Sequence, residues 1–400
     1  AVHLAAVVAA LHRYPARYGP YPCPTFTIVH PPKGGRGAGG MEYPTLITTG
    51  DRDSIPEWVR NTIFQERVSG LFTTVHEFGH QYFQGLFASR EHLEPWLDEG
   101  VNTFSNSLAF RDRYPSDDPW LVDVLSQRLS LRDVSRLGLR FRAFMEPVAR
   151  QARDFNALIG NFGPTNYVRT GSLMMTLRNL VGEDDFDRAL RVYCDRSRFR
   201  HPTGDELVAT LVEELGGRVE IRPRGASPRA PAAELDVAEY LDQALNSTRR
   251  IDFSIVSVRN RRLAGEAGWR RDDGGELVGG DPPADFDTEL EDLPDDAIEG
   301  AVVVHRPGGF MVPVELLVEF ADGSEERLVW DAREPTAVFR WPGRRVQRAS
   351  LDPDHQLLLE YERLDNNAFA PDADAADGLS KPVGDLAEAV HLALWGALGP

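Results

Sequence analysis

Residues Thr73–Asn106 read TTVHEFGHQYFQGLFASREHLEPWLDEGVNTFSN, and within them stands His76-Glu77-Phe78-Gly79-His80. On a helix, positions four apart lie one turn apart on one face. Two imidazoles so placed can bind one Zn²⁺. Glu77 is turned about 100° from His76, close enough to hydrogen-bond a metal-bound water without taking a coordination position. The lead-in Leu71–Val75 suits a buried helix. Glu99 follows His80 after an 18-residue gap, inside Trp96-Leu97-Asp98-Glu99-Gly100. A catalytic zinc takes three protein ligands and keeps one position open. His76, His80 and Glu99 supply two nitrogens and an oxygen, which predicts one zinc ion. The chemistry is hydrolytic: zinc lowers the pKa of a bound water toward ~7, and Glu77 takes the proton and passes it to the leaving amine.

This pattern resembles the signature of the gluzincin aminopeptidases, the aminopeptidase N and leukotriene-hydrolase family. Two further stretches carry the resemblance. Gly39-Gly40-Met41-Glu42-Tyr43-Pro44 resembles that family's Gly-Ala/Gly-Met-Glu-Asn motif, with Tyr43 where Asn is usual. Tyr167-Val168-Arg169-Thr170 resembles its Tyr-x-Lys-Gly element, with Arg for Lys and Thr for Gly. LVGEDDFDRALRVYCDRSRFRHPTGDEL, just downstream, is similar to the family's helical lobe.

The resemblance covers roughly residues 1–250. It implies an α+β fold: a thermolysin-like catalytic domain, with a small β-sheet lobe and a mostly α-helical lobe, followed by a small β-sandwich. It also implies a zinc metalloaminopeptidase acting on peptides with a free N-terminus. Tyr167, just after Gly163-Pro164, becomes the donor that stabilises the oxyanion opposite the metal. Gly39, Gly40, Met41 and Glu42 become the substrate-binding edge. There the Glu42 carboxylate pairs with the substrate α-ammonium, a bond of about 1.5–3 kcal/mol, and the glycines let a backbone approach closely. Many family members have a second Glu seven residues after the ligand Glu; here Asn106 stands there and supplies no charge to orient a ligand histidine. His30, His92, His201 and His305 read as structural or surface residues.

Two other functions use the same residues. A thermolysin-type endopeptidase shares the ligands and does not need Glu42. A non-catalytic scaffold of the same fold typically loses ligands, and all three are present here together with the base.

Of the 400 residues, 42% are hydrophobic and 26% charged, ordinary for a globular chain. The net charge is −18, and 12 acids without a Lys or Arg lie between Asp272 and Glu299. That balance argues against nucleic acid as a partner. Cys23 and Cys194 are too few for a disulfide framework or a Cys-rich zinc site. Phe26–Val29, Met41–Tyr43 and Thr45–Thr49 read as short strands, and Trp58 to about Leu215 as mostly helical, broken at Pro95, Pro115, Pro164 and Pro202. Residues 216–233 read as an inserted loop and Val237–Leu245 as a helix. Alternation at Ile251–Val258, Ala301–His305, Val312–Phe320, Glu326–Trp330, Thr336–Trp341 and Gln356–Tyr361 predicts the sandwich strands.

The predicted organisation is a peptidase domain over 1–250, a sandwich over 251–368 with an acidic insertion at 272–299, and a linker opening a helical segment over 369–400. The chain reads as an internal segment that lacks a preceding β-domain. Its compartment is not indicated, and membrane association would come from regions outside this segment.

Overall fold

The computed structural model describes residues 2–32, 35, 39–49, 66–113, 120–124, 127–130, 144–156, 160–225, 230–263, 268–271, 274, 276–280, 289–358, 360–363 and 365–371. These are α+β: helices with several small sheets. They divide into two compact units. The first draws on Ala1–Ile221, Glu234–Ile251 and His355–Tyr361, the second on Arg222–Ala233, Asp252–Asp354 and Glu362–Pro400. No helix among the described residues is long and apolar enough to cross a membrane.

The first unit is built around helix α2 (Glu66–Phe83), which carries both histidines of the motif. Helix α1 (Val2–Tyr18) buries Ala6, Ala10, Tyr14 and Tyr18, a strict four-residue stripe that makes one continuous face. Tyr14 meets Phe78 edge to face at 5.6 Å, and Tyr18 meets Phe83 at 5.2 Å. Aromatic pairs of this geometry contribute about 0.5–1.5 kcal/mol beyond their buried area. Strands β1 (Thr27–Val29) and β2 (Leu46–Thr48) pair in parallel. Of the expected strand at Met41–Tyr43, only a bridge between Met41 and Thr48 forms.

After α2 the chain makes a π-helical turn, Trp96–Gly100, that runs into α3 (Val101–Arg113). The turn starts at the expected break at Pro95. Trp120–Val124 and Gln127–Ser130 form an antiparallel hairpin, β3–β4. A second π-helical turn, Pro164–Arg169, leads into α4 (Thr170–Val181). The stretch at 50–65 lies outside the described residues.

Helix α4 is buried on nearly every side. Its Arg178 grips Asp187 of α5 (Glu183–Ser197) with two bonds of 2.6 and 2.9 Å. Helix α6 (Gly204–Glu214) starts in a capping box, with Thr203 and Glu206 satisfying each other's backbone N–H. The loop expected at 216–233 contains β5 (Arg218–Ile221), and β6 (Ala233–Asp236) begins at its end. Asp236 then caps α7 (Val237–Asn246) by accepting from the Glu239 amide.

The second unit holds two larger antiparallel sheets. One is β7 (Ser254–Arg262), β10 (Ile298–His305) and β13 (Thr336–Pro342), with β10 central. The other is β11 (Val314–Phe320), β12 (Glu325–Trp330), β14 (Val346–Leu351) and β15 (Asn367–Phe369), in the order β12-β11-β14-β15. Asn260 on β7 donates to the Val346 carbonyl and accepts its amide, both at 2.9 Å, tying one sheet to the other. The acidic insertion is bounded by structure: β8 (Gly268–Arg271) pairs with β9 (Leu277–Gly280), and Ile298 and Glu299 already belong to β10. Glu299 is held by Arg261 and Arg340.

Gln356–Tyr361 forms no strand among its described residues, where Glu360 makes a single bridge to Ile251. It returns to the first unit, where Leu358 N–H donates to Thr176 Oγ1 at 2.9 Å and Asn179 donates to the Gln356 carbonyl at 3.0 Å. The helical segment expected near the end lies outside the described residues.

The two π-helical turns touch at Gly100. A Cβ there would stand 2.3 Å from Thr170 Cγ2 and 2.6 Å from the Asn166 carbonyl oxygen, so only hydrogen fits. Gly100→Ala is expected to destabilise the chain by about 1–3 kcal/mol, the usual cost of overpacking. Denaturant unfolding checks this, and an unchanged midpoint refutes it.

Candidate metal centre

Helix α2 presents His76 and His80 on one face, and the Trp96–Gly100 turn brings Glu99 across to them. Nε2 of the two histidines are 3.1 Å apart. Each lies 3.2 Å from Glu99 Oε2. The three donor atoms thus form a nearly equilateral triangle. A tetrahedral ion with bonds of roughly 2.0 Å to nitrogen and oxygen has donor–donor edges of about 3.3 Å, so the donor set fits zinc in both chemistry and size.

Local packing fixes this triangle. Asn102 on α3 donates to the His76 carbonyl at 2.7 Å. A Cβ on Gly79 would fall 1.9 Å from Asn102 Oδ1, so glycine inside the motif is what lets α3 close on α2. Thr103 Oγ1 donates to the Glu99 carbonyl at 2.7 Å. Asp98, buried beside Glu99, accepts from His80 Nδ1 at 2.5 Å. Two consecutive carboxylates of one π-helical turn therefore meet the two nitrogens of one ring. The Nδ1–H bond fixes the tautomer and leaves Nε2 to face a metal. Sequence reading missed Asp98; its only signal was its place beside Glu99.

Charge follows from this packing. Burial lowers the pKa of His76. For His80 burial acts the same way, but the Asp98 carboxylate overrides it and raises the pKa well above the usual histidine value. Glu99 is half-buried, which works to raise its pKa, yet the hydrogen bonds of both imidazoles hold it well below the usual carboxylate range. Burial pushes Glu77 up to about 8, although His80 opposes this. A dication reverses such a shift, because it favours carboxylate over carboxylic acid and displaces the proton from a ligating nitrogen.

The other expected residues converge on the same place. Tyr167, in the Pro164–Arg169 turn, stacks on His76 at 5.6 Å between ring centroids. Burial and, after it, the Glu99 carboxylate raise the pKa of its hydroxyl. Gly40 lies against Glu77: a Cβ there would be 2.1 Å from Glu77 Oε1. Gly39 has φ +54° with open space around it, so it is a glycine for its backbone conformation. A Glu42 carboxylate oxygen lies within 4.8 Å of donor atoms of His80 and Asp98. Met41 keeps its side chain largely exposed.

Two more residues went unnoticed in the sequence. Gln81, buried on α2, donates to the Tyr43 carbonyl at 3.1 Å and accepts from the Thr45 amide at 2.8 Å, clamping the Gly39–Pro44 segment to the helix that carries the ligands. Glu91 is the other: burial and, after it, the Asp98 carboxylate raise its pKa. His30, His92, His201 and His305 join no cluster of metal-ligating groups among the described residues. His30 instead bonds Thr49 at 2.7 Å, and His201 donates to the Ala88 carbonyl at 2.8 Å.

The chain is similar to known proteins. Residues 3–222 match the Peptidase family M1 domain. Aminopeptidase M1-B of Oryza sativa subsp. japonica is 25% identical over 203 residues, covering 50% of this chain and 22% of its own length. Leucyl aminopeptidase of Saccharolobus solfataricus is 24% identical over 200 residues, covering 50% of this chain and 24% of its own length. The fold resembles that of Legionella pneumophila aminopeptidase A, solved in complex with aspartic acid, with a TM-score of 0.56 at 11% identity, over 90% of this chain and 34% of that one. The chain therefore spans no more than about a quarter of the length of these two curated relatives.

Metal analysis tests the ligand set. Wild-type chain is expected to hold one zinc, His76→Ala, His80→Ala and Glu99→Ala to lose it, and Glu77→Gln to keep it. Asp98→Asn removes the charge behind His80 and is expected to weaken zinc about 10–100-fold in chelator competition. Unchanged affinity in Asp98→Asn would dismiss that role.

Proposed function

The chain belongs to peptidase family M1, and from that membership and the geometry above we propose that it is the catalytic part of a zinc aminopeptidase, removing residues from peptides with a free N-terminus. One observation carries the reading: Glu99 meets both imidazole Nε2 atoms at 3.2 Å while the Tyr167 ring stacks on His76 beside them. His76, His80 and Glu99 would hold the zinc, which when bound supplies Lewis-acid charge and acidifies water.

The remaining steps belong to the protein. Glu77 takes a proton from the attacking water and returns it to the leaving amine. Gly40 keeps the Glu77 carboxylate clear, since any side chain there would collide with it. Tyr167 donates its hydroxyl to the oxyanion that forms on the attacked carbonyl. Glu42 binds the substrate α-ammonium, and Gly39 and Met41 line its approach. The carboxylates of Glu42 and Asp98 lie close together, and their negative field favours an ammonium over a neutral amide. That feature favours an aminopeptidase over an endopeptidase with the same ligands. The same reading assigns a thermolysin-like catalytic domain to residues 1–250 and a β-sandwich to 251–368.

Glu77→Gln keeps shape and loses basicity, so peptidase activity is expected to vanish with zinc retained. Tyr167→Phe is expected to lower kcat by about 10²–10³ with little change in KM; an unchanged kcat returns Tyr167 to a packing role.

Substrate choice is tested with an aminoacyl anilide and an N-acetylated peptide assayed side by side. Only the free amine is expected to be cut, and Glu42→Gln to raise KM for it alone. Similar kcat/KM for both substrates would replace the aminopeptidase with an endopeptidase.

A further inference from the structure

We propose that Arg169 is the positioning residue for Tyr167, locking the turn that carries its hydroxyl to the end of helix α7; the functional part of this rests on the reading of Tyr167 as oxyanion stabiliser. Arg169 is 1% exposed and stands two residues after Tyr167 in the same π-helical turn. Its guanidinium reaches two separate segments. Nη1 donates to the Glu146 carbonyl at 3.1 Å, and Nη2 to the carbonyls of Ala244 at 3.2 Å and Ser247 at 2.7 Å. The Ala244 and Ser247 carbonyls lie at the C-terminal end of α7, where the helix dipole favours a cation. The guanidinium carbon also sits 5.0 Å from the centre of the Phe144 ring.

This anchor answers a local weakness. The turn opens at Gly163-Pro164, and proline donates no backbone hydrogen bond. Within the turn, the Thr165 amide bonds the Asn161 carbonyl at 3.0 Å and Asn166 bonds the Phe162 carbonyl at 2.9 Å. Both bonds are local. Packing of Asn166 and Thr170 on Gly100 and of Tyr167 on His76 holds one side of the turn, and Arg169 ties it by hydrogen bonds to chain 75 and more residues away. Burial pulls the guanidinium down to about 10, so it remains charged at neutral pH. A buried guanidinium is costly unless its hydrogen bonds are made, which makes one arrangement of this turn strongly preferred. The Arg fork, with five donors in fixed directions, can bridge carbonyls on two segments at once. Holding a reacting group matters greatly, since a displacement of about 1 Å costs on the order of 10²-fold in rate.

The test labels position 167 with 3-fluorotyrosine in the 400-residue chain and reads it by ¹⁹F NMR. Wild type and Arg169→Lys, whose ammonium still donates to carbonyls, are expected to give one resonance shifted away from free fluorotyrosine. Arg169→Met is expected to move that resonance toward the free position and broaden it. Leu241→Ala, a buried change on α7, controls for general loss of stability and is expected to leave the resonance in place. Should Arg169→Met fail to fold, Arg169→Gln takes its place with the same expectation. In anilide hydrolysis Arg169→Met is expected to lower kcat about 10²-fold with KM little changed, and to cost nothing further in a Tyr167→Phe background. A folded Met or Gln variant with an unmoved resonance overturns the proposal, as does a kcat loss that adds fully to that of Tyr167→Phe. A wild-type chain without anilide hydrolysis counts against the aminopeptidase reading alone, because the ¹⁹F comparison still decides Arg169.

Discussion

Oε2 of Glu99 stands 3.2 Å from Nε2 of both His76 and His80, and much of the first unit serves that meeting. It requires a helix and a turn 18 residues later in sequence to approach closely enough for side chains to touch at their tips. Gly79 removes the Cβ that would block Asn102, and Gly100 removes the one that would block Thr170. The apolar stripe of α1 presses α2 from one side, while Thr103 fixes the Glu99 backbone from the other. The centre also gathers acids, because the carboxylates of Glu42, Asp98 and Glu99 each push the pKa of Glu77 and of Glu91 upward. Like charges at such range repel strongly when desolvated. The packing thus stores an electrostatic cost that a dication relieves, so geometry and charge both favour metal binding.

What could be read from the sequence was whatever is encoded by short spacing. A four-residue interval sets the two histidines on one face, and the WLDEG context marks Glu99. The membership of the family followed from those residues, and the helix α7 and most strands of the second unit from their periodicity. Features that depend on distant partners stayed hidden. Asp98 is an unremarkable acid until His80 Nδ1 is found beside it. Gln81 gains its meaning from two backbone atoms of a segment more than 30 residues earlier. The strand at Val346–Leu351 follows Gly343-Arg344-Arg345 and carries Arg348, so its alternation is obscured although four of its six residues are buried. Gln356–Tyr361 looked like a strand because it alternates, yet its amide and carbonyl groups bond Thr176 and Asn179 on a helix.

The departure at Asn106 takes on a different meaning once Asp98 is in view. A second glutamate at that position would supply charge to orient a ligand histidine. Asn106 is fully buried, where an unpaired carboxylate would be costly. His80 already has its carboxylate partner in Asp98, supplied by the same turn that delivers Glu99. Support for a ligand and the next ligand thus come from adjacent residues on a single rigid π-helical turn. Any shift of that turn must move both together, so the orientation of His80 and the reach of Glu99 cannot be tuned separately. The neutral residue at position 106 is consistent with that economy: charge is kept where a histidine or a metal meets it directly, and the helix behind it packs with uncharged groups.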